Sequence, residues 1–266
     1  MPVTIARHRF ASLIARVVPV LLILGHAAFS GGGGVDWPQY RFEPAHSGTN
    51  PFETTIGPDN VRNLVERWSV TLGPGGTGLG AGLVSPASLV NGVLYQHSQD
   101  GLLYALDPAT GDVLWTADTG GYGSSQPAVV GGVVYVGTIY GVRAYPAACT
   151  TPCEPLWIAE PDMTFNPSVT FAGGVVYAGA YDGRLVALDA ATGETLWSAD
   201  VNVDFMDPVW GAATVSGGVV YVPADLGVNA YPTTCRGPHC PPLWTYTTEY
   251  SVERSPAVVD GVVYAV

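Results

Sequence analysis

Two aromatic positions recur at a nearly constant interval along the 266-residue chain, and this period constrains the fold more than any other feature. A tyrosine that ends a Gly-Val-(Val/Leu)-Tyr sequence lies at Tyr95, Tyr135, Tyr177, Tyr221 and Tyr264. A tryptophan recurs out of phase with it, at Trp68, Trp115, Trp157, Trp197 and Trp244. A repeat of about 40–45 residues built from short strands is typical of the blades of a β-propeller.

One repeat divides into four short strands. Residues 86–90 form an apolar run, and Asn91-Gly92 is the dipeptide of a type I′ hairpin. Residues 93–97, 102–106 and 112–116 are rich in aliphatic and aromatic residues and are separated by Gly, Pro and Asp. No amphipathic helical pattern follows residue 70. The sequence therefore predicts an all-β fold, a β-propeller of four-stranded antiparallel blades, with about four complete blades and a partial fifth that leaves the propeller incomplete.

Two repeats contain the pattern Ala-x-Asp-x-x-Thr-Gly-x-x-x-Trp. Its members are Ala105, Asp107, Thr110, Gly111 and Trp115 in one repeat, and Ala187, Asp189, Thr192, Gly193 and Trp197 in the other. The pattern resembles the tryptophan-docking motif of the PQQ-like (quinoprotein-type) β-propeller repeat family, named after pyrroloquinoline quinone. The opening Asp36-Trp-Pro-Gln-Tyr40 is similar to the start of exported bacterial members. The resemblance covers most of residues 35–266 and implies the same propeller.

The motif also has a physical interpretation of its own. Gly111 and Gly193 can adopt a positive φ and so turn a hairpin. The Asp and Thr side chains can hydrogen-bond the backbone of that turn. Trp115 and Trp197 each present a large apolar plate, which we expect to lie between adjacent blades. The alternative is that these indoles contact a ligand.

The second and fourth repeats replace this motif with cysteines. Cys149 and Cys153 form one local pair, and Cys235 and Cys240 form the other. An even number of cysteines in an exported chain predicts two disulfides, each within its own pair. Each disulfide would then take the place of the missing Asp and Thr turn contacts. The alternative is a metal site made of the four thiols with His239 beside them.

The first thirty residues look like an export signal. Arg7, Arg9 and Arg16 precede a short apolar run at 17–25, and small residues follow. The run is too short to cross a bilayer, so we expect residues 1–30 to be a cleaved signal peptide, no stable membrane anchor after cleavage, and a secreted or periplasmic protein. A retained N-terminal anchor is the alternative. Residues 31–67 would lead into the propeller, and residues 68–266 would form repeats truncated at the C-terminus.

Charge and composition exclude some functions. The formal net charge is −12 and the pI is about 4.5, which argues against binding to nucleic acid. The chain has no lysine, so lysine-based covalent catalysis is excluded.

A binding role is predicted for the connection between the third and fourth repeats, because this stretch combines carboxylates with aromatics at Asp204, Phe205, Asp207 and Trp210. The alternative is that Trp210 packs under the next blade.

The sequence favours an exported, non-catalytic propeller that binds an unknown small molecule or protein partner. No adjacent cysteine pair and no cluster that matches the family's calcium site is present, and a fold alone does not define a function. No catalytic residue or metal site is therefore assigned. The alternative is a PQQ-dependent alcohol or sugar dehydrogenase, using PQQ with calcium, whose active-site blades lie outside this sequence. The two hypotheses leave the cofactor and the enzymatic status open.

Overall fold

The computed structural model describes residues 36–73, 85–121, 126–150, 152–159, 165–202, 208–249 and 252–265. These ranges contain four four-stranded antiparallel sheets and one two-stranded sheet, which we call blades 1 to 5. Blade 1 contains β1 (Ser88–Val90), β2 (Val93–His97), β3 (Leu102–Leu106) and β4 (Val113–Asp118). Blade 2 contains β5 (Ala128–Val130), β6 (Val133–Thr138), β7 (Gly141–Pro146) and β8 (Trp157–Ala159).

Blades 3 to 5 follow the same strand order. Blade 3 contains β9 (Phe165–Ala172), β10 (Val175–Ala180), β11 (Arg184–Asp189) and β12 (Thr195–Asp200). Blade 4 contains β13 (Thr214–Ser216), β14 (Val219–Ala224), β15 (Gly227–Pro232) and β16 (Trp244–Thr247), and blade 5 contains β17 (Ala257–Val259) and β18 (Val262–Tyr264). The predicted fold class is confirmed, and the recurring tyrosine lies on the second strand of each blade.

Helical structure is confined to one short element in the described ranges. A 3-10 helix spans Val61–Asn63, ahead of the first strand. No helix in the part of the chain that the structure describes is long and apolar enough to cross a membrane.

We call the end of the propeller with the hairpins between third and fourth strands the hairpin face. The opposite end is the connection face, because it has the connections from one blade to the next.

Each docking tryptophan contacts the hairpin of the blade that follows it. The indole nitrogen of Trp68 donates to the carbonyl of Pro108 at 2.9 Å, and that of Trp157 donates to the carbonyl of Ala190 at 3.0 Å. Gly111 and Gly193 have φ of 81° and 77°. A Cβ at either glycine would lie 2.7 or 2.6 Å from the docked indole. Glycine is therefore required here both by the turn and by the tryptophan that packs on it.

The disulfides occupy the two hairpins that lack the motif. Cys149 bonds to Cys153 with an S–S distance of 2.03 Å, and Cys235 bonds to Cys240 at 2.13 Å. This pairing excludes the four-thiol metal site. Trp115 packs in one cluster with Cys153, and Trp197 packs in another with Cys240. Disulfide hairpins therefore receive Trp115 and Trp197 of the two motif-bearing blades, and glycine hairpins receive Trp68 and Trp157.

Residues 37–46, which we call the axial segment, cross the centre of the propeller. The segment contacts the inner strand of every blade through the same strand position. The backbone N–H groups at these positions donate to successive acceptors of the segment: Leu89 to the Trp37 carbonyl, Val129 to the Pro38 carbonyl, Phe171 to Gln39 Oε1, Val215 to the Pro44 carbonyl and Val258 to the Ala45 carbonyl. The sequence placed residues 31–67 ahead of the propeller, but part of this stretch forms its axis.

His46 ends the axial segment and connects three blades. Its ring is fully buried, with Nδ1 2.8 Å from the hydroxyl of Thr214 and Nε2 3.4 Å from that of Thr170. The Thr214 hydroxyl also lies 2.6 Å from the carbonyl of Pro256, to which it donates. Burial and, to a smaller extent, the positive charge of Arg41 lower the pKa of His46 from 6.5 to about 3, although the hydrogen bond to the Pro256 carbonyl acts in the opposite direction.

We predict that Trp197→Ala lowers the free energy of unfolding by about 3–5 kcal/mol, because it leaves a large cavity between blades 3 and 4. Trp197 is fully buried and packs against Tyr177 and Tyr231, with ring centroids 6.0 and 6.2 Å away. Guanidinium unfolding measures the change. Phe52→Ala is the control, because Phe52 is 69% exposed. A loss below roughly 1 kcal/mol for Trp197→Ala would show that the indole does not hold the blades together.

The pH dependence of stability should report on His46. A pKa lowered in the folded state means that neutral His46 stabilises the fold above pH 6.5 and that this contribution declines as the pH falls towards 3. We expect the wild type to lose about 1.4 kcal/mol per pH unit more than His46→Gln between pH 6 and pH 4.5. Guanidinium unfolding at several pH values measures this difference. Parallel pH profiles for the two proteins would contradict the assignment.

Candidate ligand-binding site

A cavity of about 160 Å³ opens near the axis on the connection face. The residues that line it come from the axial segment, from the inner strand of blade 3 and from the connections that lead into the inner strands of blades 2, 4 and 5. They are Tyr40, Gln126, Val169, Trp210, Gly211, Ala212, Glu253, Arg254 and Ser255. The propeller thus brings side chains that lie more than two hundred residues apart in sequence to one concave site.

Tyr40 and Gln126 connect this cavity to a second one. The second cavity has a volume of about 350 Å³ and is lined by the same two residues together with Trp37, Arg41, Pro86 and Ala87. Gln126 is buried, and its amide nitrogen donates to the carbonyl of Ala87 at 2.8 Å. The guanidinium of Arg41 lies 5.5 Å from the centre of the Tyr40 ring. The ring of Tyr40 therefore lines both cavities, and the positively charged side chain of Arg41 lies next to it in the second one.

Trp210 forms an aromatic wall of the first cavity. Its side chain is 52% exposed and meets the ring of Tyr181 edge-on, with centroids 5.7 Å apart. The preceding Val209 is buried, and its N–H donates to the carbonyl of Ala180 at 3.1 Å. The connection is therefore anchored on blade 3 while the indole stays accessible. An accessible indole can cover the apolar face of a sugar or an aromatic ring.

Gly211 allows the wall to approach blade 5 closely. A Cβ at this position would lie 2.6 Å from the backbone nitrogen of Ser255 and 2.8 Å from Pro223. The next residue, Ala212, donates its N–H to the Ser255 hydroxyl at 2.8 Å. The two connections that form the cavity wall are therefore held against each other by backbone contact.

The polar groups at the rim are of both signs. Glu253 and Arg254 are exposed at the edge of the cavity. No group of three or more His, Cys, Asp or Glu side chains is placed to hold a metal ion within the described ranges. The exposed indole and the polar rim suit a ligand with a flat ring and a few hydrogen-bonding groups.

The structure describes one of the four predicted binding residues, Trp210, which lies in the cavity wall. Asp204, Phe205 and Asp207 lie outside the described residues, and the binding role stays a prediction. Sequence reasoning missed Tyr40, Gln126, Arg254 and Ser255. A signal was present for two of them, because Gln126 and Ser255 both precede the tetrapeptide Pro-Ala-Val-Val in equivalent repeats.

A buried histidine lies outside the cavity lining. His97 is fully buried in β2, and its Nε2 is 3.1 Å from the hydroxyl of Thr119. Its Nδ1 has no hydrogen-bond partner in the structure. Burial lowers the pKa of His97 from 6.5 to about 4, although the negative charge of Asp100 opposes this. His97 is therefore neutral at physiological pH.

Comparison with known proteins defines the family. The family model described as outer membrane protein assembly factor BamB, which is built on PQQ-type repeats, matches residues 65–148 and 152–234. The chain belongs to this family of PQQ-like propellers. Each of the two matches covers one motif-bearing blade and most of the disulfide-bearing blade that follows.

Curated relatives of this PQQ-like propeller are longer enzymes. The chain is 29% identical over 217 residues to the 1-butanol dehydrogenase (cytochrome c) of Thauera butanivorans, which covers 80% of this chain and 26% of that protein. It is 30% identical over 173 residues to the dehydrogenase subunit of the quinone alcohol dehydrogenase of Gluconobacter oxydans, covering 64% of this chain and 17% of that protein. The chain thus spans about a quarter or less of these relatives.

Solved structures show the same fold. The quinohemoprotein alcohol dehydrogenase of Comamonas testosteroni matches with a TM-score of 0.66 and 20% identity, over 87% of this chain and 45% of that one. BamB of Moraxella catarrhalis matches with a TM-score of 0.55 and 18% identity, over 68% of this chain and 57% of that one. At these identities the likeness is one of fold alone.

We predict that Gly211→Ala destabilises the protein by about 1–3 kcal/mol, because the added methyl group would overlap the backbone of blade 5. Gly57→Ala is a matched control, since a Cβ there meets nothing within 4 Å and its φ is not positive. Thermal and guanidinium unfolding of both variants measure the effect. Equal stability of the two variants would mean that the cavity wall is not packed as closely as the structure indicates.

Proposed function

We propose that this chain is an exported, non-catalytic propeller that binds a small molecule or a protein partner through the cavity at its axis. The observation that carries the proposal is the exposed Trp210 plate facing the same cavity as Tyr40. A concave site with aromatic walls and few polar groups is the usual form of a ligand site. Among the described tryptophans Trp210 is exposed, whereas the others are buried or half-buried.

Export is part of the proposal. Two disulfides are consistent with an oxidising compartment, so we place the protein in the periplasm or outside the cell. The strongly acidic composition supports a partner other than nucleic acid. The signal peptide at 1–30 and its cleavage remain predictions, because these residues lie outside the described ranges.

A PQQ-dependent dehydrogenase, of which these repeats form one part, is the second candidate. The sequence similarity to the butanol and quinone alcohol dehydrogenases favours it. PQQ is a planar tricarboxylate of three fused rings. The cavity of about 160 Å³ has one guanidinium, that of Arg254, in its lining, and the adjoining cavity of about 350 Å³ adds that of Arg41. No group of three or more His, Cys, Asp or Glu side chains is placed to hold calcium within the described ranges, and we assign no catalytic step.

We predict that Trp210→Ala weakens ligand binding at least about tenfold, because it removes the ring that stacks on the ligand. The probes are a neutral oligosaccharide, maltotetraose, and PQQ with calcium, each titrated into the purified chain by calorimetry. Trp210→Phe is the matched control, since it keeps an aromatic plate, and Phe52→Ala controls for a distant exposed ring.

The two candidates give different results. Probe binding that depends on Trp210, without alcohol-dependent dye reduction, supports the binding propeller. Uptake of PQQ with calcium, followed by dye reduction with alcohols or sugars, would replace it with the dehydrogenase. Binding that is unchanged in Trp210→Ala, or no binding of either probe, would contradict the use of this cavity.

A further inference from the structure

The second axial cavity has the opposite charge to the chain as a whole. The sequence contains 22 acidic residues and 10 arginines. In this cavity, however, Arg41 is the one charged residue among the described lining residues. The stretches 74–84 and 122–125, which precede the lining residues Pro86 and Gln126 in the chain, contain no charged residue. A positive lining in an acidic protein favours an anionic group of a ligand at this place.

The backbone at Arg41 has a conformation that suits a different residue type. The N–H of Phe42 donates to the carbonyl of Gln39 at 3.0 Å, which closes a turn with Arg41 as its third residue. The φ of Arg41 is 53°, in the left-handed region, where the third residue of a turn is normally glycine or asparagine. Phe42 follows with a φ of 81°. Strained backbone positions of this kind cluster at ligand-binding sites.

The guanidinium of Arg41 is positioned by the ring that lines both cavities. It lies 5.5 Å from the centre of the Tyr40 ring, and the Arg41 residue is exposed. The acidic residues on either side in sequence bind backbone groups. Asp36 accepts the N–H of Asn91 at 3.0 Å, and Glu43 accepts two N–H groups of its own turn. The guanidinium is therefore held over an aromatic ring and can accept a carboxylate from the cavity.

The first cavity provides a stacking surface instead of a positive lining. The ring of Trp210 is 52% exposed, and the two charged residues at the rim have opposite signs. A ligand that reaches from Trp210 to Arg41 passes Tyr40, which lines both cavities. Two adjoining cavities, one with a stacking ring and the other with a guanidinium, match successive rings of a sugar chain that carries carboxylates.

We propose that the two axial cavities bind an acidic oligosaccharide, with one sugar ring stacked on Trp210 and the carboxylate of a neighbouring uronic acid ring bound by Arg41. The planar guanidinium can donate two parallel hydrogen bonds to that carboxylate. This inference rests on the binding function proposed above and defines the chemical class of the ligand.

Titration of the purified chain with tetragalacturonate and with its methyl ester, followed by calorimetry, tests the proposal. The two probes have the same sugar rings and differ in charge. We expect tetragalacturonate to bind at least about tenfold more tightly, and this difference to shrink as the salt concentration rises. PQQ without calcium is the third probe, because its carboxylates lie on a planar aromatic system. Binding of PQQ but of neither tetrasaccharide would overturn the assignment of a sugar.

Arg41→Asn is the decisive variant, because asparagine tolerates a positive φ and has no charge. We expect it to unfold at the same guanidinium concentration as the wild type or at a higher one. It should bind tetragalacturonate at least about tenfold more weakly and the methyl ester within about twofold of the wild type. Arg62→Asn is the matched control, since it removes an exposed arginine on the 3-10 helix and should leave both affinities unchanged.

The outcomes separate this inference from the proposed function. Unchanged tetragalacturonate binding in Arg41→Asn would overturn the acidic ligand. Equal binding of the two tetrasaccharides, lost in Trp210→Ala, would also overturn it and would leave the axial cavity as a ligand site. A chain that binds neither tetrasaccharide would contradict both the acidic ligand and the use of this cavity.

Discussion

Five backbone N–H groups point towards the axis of this propeller, one from each inner strand, and the rest of the fold depends on how they are satisfied. A buried backbone donor without an acceptor costs about as much as a lost hydrogen bond, and here five such donors converge. The axial segment supplies one acceptor to each of them, in chain order from Trp37 to Ala45. One short segment thereby fixes the inner strands of blades that are separated by up to 170 residues. The same segment forms the floor of the axial cavity through Tyr40.

The interfaces between blades are of two alternating kinds. Where a motif-bearing blade precedes a disulfide-bearing one, the tyrosine of the Ala-Tyr-Pro sequence reaches back across the interface. The hydroxyl of Tyr145 donates to the carbonyl of Asp118 at 2.7 Å, and that of Tyr231 donates to the carbonyl of Asp200 at 3.0 Å. The other interface instead has the indole nitrogen of Trp157 donating to a hairpin carbonyl, whereas the buried indole nitrogen of Trp197 has no hydrogen-bond partner among the described residues. The structural unit that repeats is therefore a pair of blades.

The features that recur from blade to blade could be predicted from the sequence. The contacts along the axis do not recur and could not. The strands, the positions of Tyr95 and its equivalents, the burial of Trp115 and Trp197 and both cysteine pairs follow from local spacing, so each could be inferred from a few neighbouring residues. The contacts of Gln39 and His46 join residues more than a hundred positions apart and follow no period, so no local pattern indicates them. The cavity was predicted only at Trp210 for the same reason. The match between Gln126 and Ser255 becomes informative only once the inner strands are known to converge.

The hairpin face and the connection face of the propeller differ in how their loops pack, and the cavity lies on the connection face. On the hairpin face every described hairpin between third and fourth strands is occupied, because it receives a tryptophan and is closed by either a glycine turn or a disulfide. The described connections on the opposite face are anchored at points such as Val209 against Ala180 and Ala212 against Ser255. Beside these anchors the ring of Trp210 is 52% exposed, and Glu253 and Arg254 are exposed near the axis. A change in Trp210 therefore alters the cavity wall and leaves the docking contacts of the hairpin face intact.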